Sequence, residues 1–99
     1  MKRLESYTEN KVVAWARKNG VMQCKLSTPG QRGYPDRVFF VKGGRPVLWE
    51  AKRKGEKPRK LQARTMYHLN LLGYDVFWTD NHEEAISYLE ARLGRRPRA

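Results

Sequence analysis

Glu50 and Lys52 stand two residues apart in the run Pro46-Val47-Leu48-Trp49-Glu50-Ala51-Lys52, which reads as a β-strand. Side chains two apart on a strand share a face, so a carboxylate and an ammonium project together while Ala51 turns to the packing side. Alone, such a pair is commonly just a cross-paired solvated face. Asp36 changes the weighing. It follows Gly33-Tyr34-Pro35 directly and precedes the apolar run Arg37-Val38-Phe39-Phe40-Val41, a second strand. Gly43-Gly44 supplies a tight hairpin turn between the two strands, because glycine tolerates positive φ. Asp36 lies seven residues before Gly43 and Glu50 six after Gly44, so the hairpin brings both carboxylates to the same end. Neighbouring carboxylates repel strongly unless a cation lies between them. Mg²⁺ or Mn²⁺ suits such an oxygen-rich site, lowers the pKa of bound water and stabilises charge on a scissile phosphate. Lys52 would orient or help deprotonate the attacking water and offset the negative charge that develops. The competing reading of Asp36 is a turn residue making an Asx-type hydrogen bond.

Two further residues bear on this site. Glu9 falls among Val12, Val13 and Ala16 on the apolar side of a helix over residues 6–19, where an unpaired charge is costly. It is expected beside the metal, directly or through water. Ser6-Tyr7-Thr8-Glu9 equally fits a capping box, in which Glu9 is a structural cap. Gln62 lies near Met66 and Leu69 on a second helix and partly faces the sheet, as a site residue or as an amide satisfying backbone groups.

The elements that must position these residues follow in order. The first helix stops at Gly20, and residues 21–26 alternate as a strand. Residues 27–33 form a loop punctuated by Pro29-Gly30. After it come the hairpin of residues 37–41 and 46–52, its first strand apolar enough for burial on both faces, and a basic loop. A helix over residues 61–72 ends at Gly73, with Leu61, Thr65, Leu69 and Leu72 as its apolar stripe. Residues 74–78 make a fourth strand. Asp80, with Glu83 three residues on, caps a last helix that buries Ile86, Leu89 and Leu93. The order α-β-β-β-α-β-α, with a hairpin and then a strand–helix–strand crossover, predicts an α/β domain: a mixed sheet flanked by helices.

Composition narrows the partner. The 99 residues hold 21 Lys and Arg against 10 Asp and Glu, a net charge of +11. That excess on one small domain is the footprint of a polyanion, most often nucleic acid. An anionic membrane fits less well, because the basic residues do not line one amphipathic helix. A single cysteine, Cys24, excludes an intramolecular disulfide framework and a Cys-rich zinc site. His68 and His82 lack a second ligand at suitable spacing and read as surface residues; Met22 and Met66 read as core filler. No apolar leader or spanning segment is visible, so a cytoplasmic protein is expected.

The runs Gly33-Tyr34-Pro35-Asp36, Glu50-Ala51-Lys52 and Lys60-Leu61-Gln62, with the upstream Glu9 helix and Cys24-Lys25-Leu26, resemble the VRR-NUC branch of the PD-(D/E)XK nuclease superfamily. The resemblance spans roughly residues 5–90, with no departure at the key carboxylates or the lysine. It implies a restriction-endonuclease-like α-β-β-β-α-β core that cleaves DNA phosphodiesters with Mg²⁺ or Mn²⁺. Carried over by position, Asp36 and Glu50 bind metal, Lys52 serves the water, Ala51 lends its backbone carbonyl, and Glu9 and Gln62 complete the site. Stand-alone members of this size, many from bacteriophages, resemble Holliday-junction resolvases and act as dimers. The resemblance thus implies a homodimer cutting branched DNA in a bacterial or phage-infected cell. Residues 1–93 would form the nuclease domain, and residues 94–99 a basic, disordered tail.

Between Lys52 and Lys60 six of nine residues are basic and one is acidic, which suits phosphate contacts beside the active lysine. Arg53, Lys54, Lys57, Arg59 and Lys60 are the candidates there, and Arg32 for the strand being cut; a solvated linker is the plainer reading of the loop. Tyr34 could stack on a splayed base or cover the turn. Three alternatives stand beside junction cleavage. One is a flap- or single-strand-directed nuclease of the same fold, and another an RNA-cutting enzyme. The third is a non-catalytic nucleic-acid-binding module, which does not require Asp36, Glu50 and Lys52 to converge.

Overall fold

The computed structural model describes residues 5–93; the basic tail expected from Gly94 lies outside them. Its elements run α1 (Glu5–Lys18), β1 (Met22–Lys25), β2 (Arg37–Val41), β3 (Arg45–Ala51), α2 (Lys60–Leu71), β4 (Asp75–Thr79) and α3 (His82–Arg92). The sheet order is β1-β2-β3-β4, antiparallel for the first two pairs and parallel for β3 and β4. This is the mixed, helix-flanked α/β sheet that the hairpin and crossover require. Among the described residues no helix is long and apolar enough to cross a membrane.

Alternation along the strands separates two faces. One carries Phe39, Val41, Val47, Trp49, Ala51 and Phe77, which form the core with Val12 and Ala16 of α1 and Ala85 and Leu89 of α3. Trp49 is fully buried there, and its indole N–H donates to Thr79 Oγ1 at 2.9 Å, so its polar end is satisfied. α2 packs against β4 on the other face, where its Gln62 meets Glu50.

Several expectations need correction. β2 is buried on both faces only in part: Val38 is buried on the second face but Phe40 is 51% exposed, since no helix among the described residues covers that face at the β1–β2 end of the sheet. For the same reason Met22, on edge strand β1, is exposed rather than core filler, whereas Met66 is buried. α2 buries Gln62 and Met66, not the stripe through Leu61 and Leu72, both of which are exposed. Gln62 accepts the Arg59 N–H and donates to Glu50, and these two hydrogen bonds set that rotation. α3 is capped by Asn81, whose side chain accepts the Glu84 N–H at 2.8 Å, one residue later than the Asp80–Glu83 pair. It buries Ala85 and Leu89, while Ile86 and Leu93 are partly buried against the core. Ser6 lies inside α1, so Ser6–Glu9 is not a capping box. His82 is partly buried, edge-on to Tyr7 and 3.5 Å from Glu83; His68 is exposed.

Candidate active site

Asp36 sits one residue before β2, and continuing the Arg37↔Trp49 register by one places it opposite Glu50. The backbone fixes it firmly. Its N–H donates to the Trp49 carbonyl at 3.0 Å, and its carbonyl accepts the Leu26 N–H at 2.8 Å. Upstream, Pro35 is fully buried and Gly33 adopts φ +90°. A Cβ on Gly33 would lie 2.9 Å from both Leu61 Cγ and Thr65 Oγ1, so only glycine lets this run close against α2.

Glu50 and Lys52 project together from the end of β3, both buried at 2% and 8% exposure. Lys52 Nζ lies 3.7 Å from Glu50 Oε2, and Gln62 Nε2 donates to that same oxygen at 2.8 Å. A carboxylate this deep needs such partners to stay ionised. Gln62 also accepts the Arg59 N–H through Oε1 at 2.8 Å, so one amide caps α2 and braces Glu50. The Lys52 N–H donates to the Thr79 carbonyl at 2.9 Å, which carries the β3–β4 pairing one residue past the strand to Lys52.

Asp36 Oδ2 accepts a long hydrogen bond, 3.3 Å, from the Ala51 N–H, which ties its carboxylate to the Glu50-Ala51-Lys52 run. Burial pushes the Asp36 carboxyl above the usual range and the negative charge of Glu9 adds to this, against the Ala51 N–H, Lys52 and Lys25. Glu9 therefore faces the site electrostatically, yet it is already paired. Arg37 donates to its Oε2 through Nε at 3.3 Å and Nη2 at 3.2 Å, and through Nη1 to Gln23. Sequence reasoning missed Arg37, although a guanidinium opening an otherwise apolar strand signals an unassigned partner. Among the described residues no three His, Cys, Asp or Glu side chains converge as a ready-made metal cluster. Asp36 and Glu50, opposite one another in the extended hairpin register, offer hard carboxylate oxygens at this end of the sheet. A carboxyl held above its usual range by burial and a like charge is relieved by a cation, so this donor set fits Mg²⁺ or Mn²⁺.

From Lys52 an open cleft of about 460 Å³ runs along Arg53, Glu56, Lys57 and Arg59. Lys54 and Lys60 are exposed in the same loop; Arg32, in the loop before β2, is exposed, and Tyr34 is 39% exposed. Lys52 is thus shared by the buried site and a basic cleft.

No family model matches the chain. It is 35% identical over 79 residues to "Putative nuclease p44" of Acyrthosiphon pisum secondary endosymbiont phage 1, covering 80% of this chain and 85% of that relative. A solved structure described as "VRR_NUC domain" superimposes with a TM-score of 0.78 at 23% identity, over 87% of this chain and 94% of that one, which establishes the shared fold. With that identity and coverage the chain belongs to the family of this phage protein, "Putative nuclease p44", and its fold is that of the VRR_NUC domain.

Proposed function

We propose that the protein is a homodimeric, Mg²⁺- or Mn²⁺-dependent endonuclease that hydrolyses DNA phosphodiesters, with branched DNA such as four-way junctions as its preferred substrate. The observation that carries this reading is the meeting of Lys52, Gln62 and Glu50 at one carboxylate oxygen, with Asp36 tied to Ala51 between them. A non-catalytic binding module has no need to bury a glutamate and a lysine together at the mouth of a basic cleft. Asp36 and Glu50 would hold the cation, with the Ala51 carbonyl as a third oxygen and Glu9 behind Asp36. When bound, the cation supplies Lewis-acid charge at the scissile phosphate and makes an attacking water more acidic. As an ammonium, Lys52 would place a positive charge where the phosphate gains negative charge and donate a hydrogen bond that orients the attacking water, whose proton leaves to solvent. Gln62 holds the Glu50 carboxylate in orientation through its hydrogen bond to Oε2. Arg53, Lys54, Lys57, Arg59 and Lys60 would bind phosphates without reading sequence, and Arg32 would meet the cut strand.

The test is a cleavage panel of duplex, flap, splayed and four-way DNA, with matched RNA duplex, in Mg²⁺, Mn²⁺ or EDTA. Cleavage in either metal, none in EDTA and preference for the junction are expected. Asp36→Ala, Glu50→Ala and Lys52→Ala should each abolish cutting while leaving DNA binding largely intact. Full activity in Glu50→Ala would remove the assignment, and preferential cutting of flaps or RNA would redirect the substrate.

A further inference from the structure

Asp80 lies between β4 and α3, and its two carboxylate oxygens are used differently. Oδ2 accepts the Gly55 N–H at 2.9 Å, across 25 positions of sequence, and Oδ1 accepts Asn81 Nδ2 at 3.0 Å. Gly55 sits in the tight turn closed by the Glu56 N–H on the Arg53 carbonyl, with φ +88°. A Cβ there would meet nothing within 4 Å, so glycine serves the turn's conformation and not a lack of space. The ends of the basic loop are fixed separately, through the Lys52 N–H on Thr79 and the Arg59 N–H on Gln62. Among the hydrogen bonds of the described residues, the Asp80–Gly55 contact is the one that ties the middle of this loop to the body of the protein.

We infer that Asp80 is a positioning residue for DNA: its carboxylate pins the turn of the basic loop and holds Arg53, Lys57 and Arg59 along the cleft beside Lys52. This rests on the loop's role as a phosphate clamp. Asp80 acts on DNA binding through two opposed effects. A carboxylate next to a polyanion surface weakens binding by charge alone. Pinning the turn strengthens binding, because a loop ordered in advance loses less entropy when the polymer arrives. The Gly55 N–H, then Asn81 and Lys54, hold the Asp80 carboxyl below the usual range, so the pin stays charged and in place at neutral pH.

The two effects give opposite signs in one measurement, the affinity of the full chain for a fluorescent DNA duplex in EDTA, where no cutting interferes. Asp80→Ala should weaken binding about three- to tenfold and speed hydrogen exchange at the Gly55 amide, although it removes a negative charge. Asp80→Asn keeps a carbonyl oxygen for that amide and should restore both affinity and protection. Asn81 remains to cap α3 in either variant. Binding by Asp80→Ala as tight as, or tighter than, that of the unaltered protein overturns the inference. So does weakened binding with Gly55 exchange unchanged. Because both readouts are taken without cleavage, they fail separately from the nuclease reading, which fails only if the unaltered protein cuts nothing.

Discussion

Asp36 shows how a site residue works against the stability of its own fold. Its carboxyl is raised mainly by burial, then by Glu9. A carboxyl that holds its proton more tightly when folded penalises folding above its raised folded pKa. That penalty fades as pH falls toward the unfolded value of 3.8. Asp36→Asn, which keeps an oxygen for the Ala51 N–H, should therefore be more stable than the unaltered protein at pH 7. The gain should shrink on acidification and vanish below about pH 4, as read by urea unfolding across pH. A constant difference across that range would contradict the assignment of the effect to ionisation. Asp36, Glu50 and Lys52 were readable from sequence because strand alternation and one glycine turn decide their relative placement. The state of Glu9 was not. Its partner Arg37 is 28 positions away, and only the packing of α1 against the sheet brings them together.

At the level of elements, the order and types were readable from hydrophobic period and glycine stops, but the caps and faces were not. Asp80 and Asn81 can each cap a helix; the structure uses Asn81, because the Asp80 carboxylate is engaged by Gly55. In α2 the apolar period points to Leu61 and Leu72, which are exposed, while Gln62, expected from its place near Met66 to face the sheet in part, is buried with its amide on the Glu50 carboxylate. A polar contact of this kind leaves no trace in an apolar pattern. The loop between β3 and α2 carries its own prediction. Replacing Lys54, Lys57 and Arg59 together with Ala should weaken binding to all DNA sequences alike. It should also flatten the dependence of log affinity on log salt, by up to about one unit per lost phosphate contact. A changed sequence preference with an unchanged salt slope would argue against a phosphate clamp.

For the whole molecule, the sheet's two faces are covered unequally. α1 and α3 close one face, whereas α2 lies mainly along β4 on the other, with Gln62 reaching Glu50 of β3. At the far end of that second face Met22 and Phe40, register partners on β1 and β2, are 74% and 51% exposed. A domain this small has a modest core, and an open apolar sheet end is a natural place for a second copy. Phe40 lies at the hairpin end of β2 and Asp36 at the other, so pairing there leaves both active sites open. A two-fold pair presents two identical sites, and a four-way junction offers two equivalent strands to them. The unaltered protein should therefore be a dimer by light scattering and nick opposing junction strands symmetrically. Phe40→Lys places a charge in the proposed contact. It should yield a folded monomer that still cuts splayed DNA in Mg²⁺ but loses the paired, symmetric incision of the junction. An unaltered protein that scatters as a monomer and cuts linear duplex and junction equally would defeat both the dimer and the junction preference. A Phe40→Lys dimer with symmetric cutting intact would move the interface elsewhere on the molecule.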